Sequence, residues 1–166
     1  VKKITIILIT LACAVAMVTA AFAAEVTLWT CVPGEAGTQT VTMRSLYCTN
    51  YMGFLRFYSR ASELTITFDL PKGDFEGYTL RVTDAGTLTL MDVAVSGGQH
   101  GVWSPMTLRV NNQTVAENID INTTEEQTRT FAIGKYLKDG SNSITFTLGP
   151  SARTRYDLKS VSLIKS

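Results

Sequence analysis

The sequence predicts an all-β domain built as an antiparallel two-sheet β-sandwich. Three observations predict it. Apolar and polar residues alternate at period two along most of the chain, as in ELTITFDL at 63–70. There Leu64, Ile66, Phe68 and Leu70 fall on one face and Thr65, Thr67 and Asp69 on the other. The alternating runs are rich in Thr, Val, Ile and aromatic residues, whose branched or broad side chains suit a pleated surface. Gly, Asn, Asp and Pro punctuate them at short intervals, and no useful length of helical period interrupts the series.

The first residues do not belong to the sandwich. Lys2 and Lys3 precede an uncharged apolar run from Ile4 to Ala24, and Ala21-Phe22-Ala23 supplies the small-x-small pattern of a cleavage site. Residues 1–23 are therefore read as a secretory signal peptide of bacterial type, with the product periplasmic or secreted. The same run, at about 20 residues, is also long enough for an uncleaved membrane anchor. Cleavage leaves residues 24–166 as one domain with no linker or internal repeat, and no membrane association after cleavage.

Strands are expected near 26–31, 39–47, 54–59, 63–70, 78–84, 87–96, 105–111, 113–119, 128–133, 142–149 and 155–164. The one helical hint is GKYLKDG at 134–140, about a single turn. Two strands change parity midway. Leu88 and Leu90 give way to Val93 and Val95, and Tyr156 and Leu158 give way to Val161 and Leu163. A strand keeps its apolar residues on one face through such a switch only by bulging, or it crosses between sheets. Long bent strands suit a jelly roll better than a flat immunoglobulin sandwich.

Charge and cysteine content narrow the function. Lys2 and Lys3 account for two of 15 basic side chains, leaving 13 against 14 acidic ones in the domain. No basic block survives, which argues against nucleic acid as a partner. Of three cysteines, Cys31 and Cys48 remain after cleavage. In an exported chain such a pair is most simply one disulfide, worth roughly 3 kcal/mol for a loop of about 17 residues. A metal pair or a nucleophilic thiol is the competing reading, but metal-ligand spacing is absent. The motifs HExxH and GxSxG and the phosphate-binding glycine loop do not occur.

The second half resembles the galactose-binding-like jelly rolls, which include many carbohydrate-binding modules and accessory domains of polysaccharide-degrading enzymes. The resemblance rests on VAVSG, SPMTLRVNNQTVAENI, FAIGKYLKDGSNSITFTLGPSA and YDLKSVSL, which together cover residues 93–164. Within these, Leu-Arg-Val-Asn leads into a turn, Lys-Asp-Gly-x-Asn-x-Ile approaches the penultimate strand, and Tyr-Asp-Leu opens the last. The resemblance implies a jelly roll and a carbohydrate ligand, a polysaccharide or glycan. It also implies a candidate structural calcium held between the first and last strands. Asp157 occupies the Tyr-Asp-Leu position, and Glu25 is the acidic residue near strand one.

Candidate carbohydrate-binding residues come from three places. In SGGQHGVWSP, Trp103 offers an aromatic platform, with His100, the single histidine, and Gln99 as hydrogen-bonding neighbours. The competing reading makes Trp103 a lid over the core. In GFLRFYS, alternation sends Phe54, Arg56 and Tyr58 to one face; with Arg81 and Arg109 on adjacent strands these would form an aromatic and arginine surface suited to neutral or acidic glycans. Arg155, in Arg153-Thr154-Arg155-Tyr156, is placed to line the same sandwich end as residues 96–105. Among the acidic segments, KDGSNS reads as a turn with Gly140 at positive φ. DINTTEE at 120–126 reads either as a weak oxygen cluster or as a capping pair of Thr123 with Glu126. The favoured reading is a non-catalytic carbohydrate-binding domain. Its rivals are a structural or adhesive surface domain making protein contacts and a small polysaccharide-active enzyme.

Overall fold

The computed structural model describes residues 24–32, 41–46, 48–51, 53–57, 62–87, 105–119, 123–149 and 155–166. Eleven strands occupy them: β1 (Val26–Cys31), β2 (Val41–Leu46), β3 (Cys48–Tyr51), β4 (Phe54–Phe57), β5 (Glu63–Leu70) and β6 (Tyr78–Thr87), then β7 (Met106–Val110), β8 (Gln113–Ile119), β9 (Gln127–Ala132), β10 (Gly140–Leu148) and β11 (Arg155–Lys165). A first sheet runs β3-β4-β11-β6-β9, with β1 also paired to β11; a second runs β2-β5-β10-β7-β8. Every strand pair is antiparallel. The predicted two-sheet jelly roll is the observed fold.

The core is what the alternation dictates. Leu64, Ile66 and Phe68 of β5, Ile144, Phe146 and Leu148 of β10 and Leu108 and Val110 of β7 face Leu80 and Val82 of β6 and Phe57 of β4. All are buried in one cluster, each contributing about 1.5–3 kcal/mol of apolar burial. The parity switch in the last strand is a bulge. Leu158 lies opposite Asp84 and Ser160 opposite Thr83, so Lys159 is the additional residue. Tyr156 and Leu158 before it and Val161 and Leu163 after it all reach the core. The bulge also divides one flank of β11, with β4 paired along 156–158 and β1 along 161–165. The companion switch at 88–95 lies outside the described residues.

The helical hint is a single 3-10 turn, Gly134–Tyr136. A Cβ at Gly134 would stand 2.1 Å from the Phe75 carbonyl oxygen, so only glycine fits there. Asn111 and Asn112, both at positive φ, close the β7–β8 hairpin as a two-residue turn. Gly140 has φ 77°, the conformation expected of its turn.

The expected Cys31–Cys48 disulfide is not formed; both are free thiols. Register explains why. Cys31 pairs with Val161, opposite Val82, whereas Cys48 pairs with Phe57, opposite Tyr156 and then Gly86. That offset of four residues on β6 is about 13 Å along the strands, against the roughly 7 Å between Cα atoms that a disulfide tolerates. Cys31 Sγ instead sits 3.9 Å from Met43 Sδ, and the Cys48 thiol donates to the Leu46 carbonyl at 3.1 Å.

Candidate functional site

Connectivity and register bring five connections to one end of the sandwich. In the first sheet Cys48, Phe57, Tyr156 and Gly86 lie in one row, with Arg155 opposite Thr87 and Gln127 opposite Asp84 close by. In the second sheet Leu46, Glu63, Thr147 and Thr107 share a row, followed by Leu148, Met106 and Ile119. The chain segments β2–β3, β4–β5, β6–β7, β8–β9 and β10–β11 therefore all cross between sheets here. Backbone bonds tie their roots together: Leu148 N to Ser62 O at 3.0 Å, Gly149 N to Pro105 O at 2.7 Å and Gly86 N to Thr123 O at 2.7 Å. The opposite end carries the Asn111-Asn112 turn, residues 71–77 and 133–139, and both ends of the described chain.

This end is the one to which the sequence assigned its loop candidates. Gln99, His100 and Trp103 belong to the segment 88–104, and Tyr58, which the sequence assigned to a sheet face instead, to 58–61; all four lie outside the described residues. Their described roots, Phe57, Ser62, Thr87 and Pro105, meet at this end, as does Arg155, the first residue of β11.

Arg56 is described and has a different environment from the open surface expected of it. Its guanidinium makes a bidentate pair with Asp157, Nε to Oδ1 at 2.7 Å and an Nη to Oδ2 at 2.8 Å. The residues are 9% and 4% exposed. Phe54 lies beneath, its ring centre 5.1 Å from Arg56 Cζ and 4.1 Å from Lys159 Nζ. The arginine face drawn from alternation does not assemble. Arg56 and Arg81 are in the first sheet, Arg109 is in the second, and Arg81 is paired with Glu25 at 2.7 Å.

The calcium pair fails on the same grounds. Val26 lies opposite Lys165 and Asp157 opposite Ala85, seven residues of β6 beyond Tyr78, the partner of Lys165. Glu25 and Asp157 thus stand about 23 Å apart along the sheet. Each carboxylate already holds an arginine, so they do not fit a six-to-eight oxygen calcium shell. Among the described residues no three of His, Cys, Asp or Glu cluster as metal ligands. In the 120–126 segment, Thr123 Oγ1 accepts from the Glu125 amide at 3.1 Å and Glu126 pairs with Lys159, so of the two readings of this segment the Thr123–Glu126 capping pair does not form. Residues 120–122 lie outside the described set.

Sequence reasoning missed a second polar network, on the core side of the same strands. Asp84 pairs with Arg129, and its other oxygen accepts the Tyr156 hydroxyl at 3.1 Å. Burial pushes the Asp84 carboxyl up despite both partners, and burial together with the Asp84 charge raises Tyr156 well above its ordinary range. The signal was present in YTLRVTD, where Asp84 is in phase with Tyr78, Leu80 and Val82. A carboxylate at a core position demands a partner.

No protein-family profile matches the chain, and no curated protein does. Solved structures of similar fold do exist. A family 35 carbohydrate-binding module from an environmental isolate aligns at 16% identity over 82% of this chain and 92% of its own, with a TM-score of 0.55. The family 36 module of a multidomain xylanase from the hindgut metagenome of Trinervitermes trinervoides aligns at 9% identity over 74% and 95%, TM-score 0.52. A family 29 carbohydrate-binding module aligns at 14% identity over 85% and 86%, TM-score 0.51. The chain shares the jelly-roll fold of these carbohydrate-binding modules.

Proposed function

We propose that this chain is an exported, non-catalytic module that binds a polysaccharide or glycan at the end of the sandwich where its five connections converge. One observation carries the reading: the segments bearing Tyr58, Gln99, His100 and Trp103 are rooted beside Arg155 in a single rim. A rigid sandwich fixes the strand ends from which such segments spring, and an aromatic ring beside polar side chains is what a sugar's apolar face and hydroxyls require. The fold shared with carbohydrate-binding modules supports the same assignment. Affinity is modest, because a shallow site exchanges sugar–water hydrogen bonds for similar ones with protein.

The test is a glycan array probed with residues 24–166, with and without calcium, and repeated with Trp103→Ala. Retention should fall at least about tenfold in the variant, as for loss of a stacking aromatic, with the melting temperature unchanged. Failure to retain any glycan in either condition would favour the structural or adhesive rival. Shortening of the glycan with time would favour the enzyme.

A further inference from the structure

We infer that the outer face of the second sheet is a separate binding surface for a linear acidic polysaccharide bearing uronate carboxylates. Register places Arg44, Thr65, Thr145 and Arg109 in one row across β2, β5, β10 and β7, with Thr114 of β8 beyond. Alternation points all of them away from the core, and burial agrees: their neighbours Ile66, Ile144 and Leu108 are buried, while Arg44 is exposed and Arg109 half-buried. Among the described arginines, Arg56, Arg81 and Arg129 hold carboxylates, whereas Arg44 and Arg109 hold none. Arg44 and Arg109 therefore share one row, three strand spacings or about 14 Å apart. Hydroxyls fill the space between and beside them. Thr65 and Thr145 are bonded to each other at 3.2 Å, and Thr42, Thr67 and Ser143 form the next row.

The charge pattern selects the occupant. Glu63 lies in the row on one side and Asp69 two rows away on the other, so the positive strip is a single row wide. A broad polyanion such as duplex DNA or an anionic membrane would meet these acids, whereas one extended chain laid across the strands avoids them. Spaced carboxylates on that chain match the planar fork of each arginine, and the threonine rows meet its hydroxyls.

The probe is polygalacturonate, immobilised in affinity gels beside neutral xylan and mannan, with residues 24–166, which contain every described strand. Retardation by polygalacturonate is expected at low ionic strength and should vanish near about 0.5 M salt. The double variant Arg44→Gln/Arg109→Gln should lose it at least about tenfold, with an unchanged melting temperature. Arg81→Gln, on the other sheet, should retain it, and so should Trp103→Ala, which separates this surface from the loop end. Wild-type protein that ignores polygalacturonate, a double variant that binds it normally, or equal retardation by DNA would each overturn the assignment.

Discussion

Removing either partner of Arg56–Asp157 strands a charge in a site less than a tenth exposed. Asp157→Asn should therefore lower the unfolding free energy by roughly 3–5 kcal/mol, and joint replacement by apolar residues of similar volume should restore most of it. Urea melts read both. The loss should be equal with and without calcium; a loss seen with calcium alone would make Asp157 a metal ligand instead. Asp84 behaves differently. Its folded pKa is raised above 3.8, so its contribution to stability is complete below 3.8 and is lost as pH rises through the folded value. Wild type should consequently lose stability relative to Asp84→Asn as pH rises from 3.8 through the folded value; a pH-independent difference would contradict the burial argument. Burial also pushes the Cys48 thiol up to about 12 and raises Cys31. Iodoacetamide at pH 8 should accordingly react slowly with native protein and label both thiols after unfolding without reductant. At this scale the sequence was least legible. Alternation marked Arg56 and the family resemblance marked Asp157 as functional polar residues, but only strand pairing across 101 positions reveals that they neutralise each other.

Alternation made most elements legible. The limits of β1, β5 and β8 coincide with the predicted runs, and the parity change in YDLKSVSLI, with Lys159-Ser160 at the switch, marked the place where the register shows a bulge at Lys159. The short strand β3 fell between the predicted runs 39–47 and 54–59 and was missed, because four residues carry too little period to register. The motifs behind the resemblance proved to be joints between elements. Asn142 of Lys-Asp-Gly-x-Asn-x-Ile is 1% exposed and accepts from Asn111 Nδ2 and the Lys138 amide while donating to the Lys138 and Gly140 carbonyls. Asn111 of Leu-Arg-Val-Asn in turn bonds the Ser143 amide and the Tyr136 carbonyl. These bonds lock the β7–β8 hairpin onto the approach to β10. Asn142→Ala should cost about 2–3 kcal/mol, since several buried groups lose their partner together, while Asn112→Gly, at an exposed positive-φ position, should be near neutral. Equal effects on the urea midpoint would show that the joint is dispensable.

For the molecule as a whole, fold class followed from periodicity, but the location of the site required topology. Tyr58, the 96–105 loop and Arg155 are separated by up to 97 positions in the chain, and only the sheet order brings their roots to one end. The calcium pair was lost for the same reason in reverse, since first and last strands do pair, but Glu25 stands at the Lys165 end of that ladder and Asp157 beyond its Val161 end. The most direct measurement of the central claim is a ¹H–¹⁵N correlation spectrum titrated with neutral xylo- and manno-oligosaccharides. Amide shifts should concentrate at Gly86, Thr87, Met106, Gly149 and Arg155, leaving Gly77, Asn112 and Gly140 unmoved. Shifts centred on that second group, or none with any glycan retained on the array, would contradict the account.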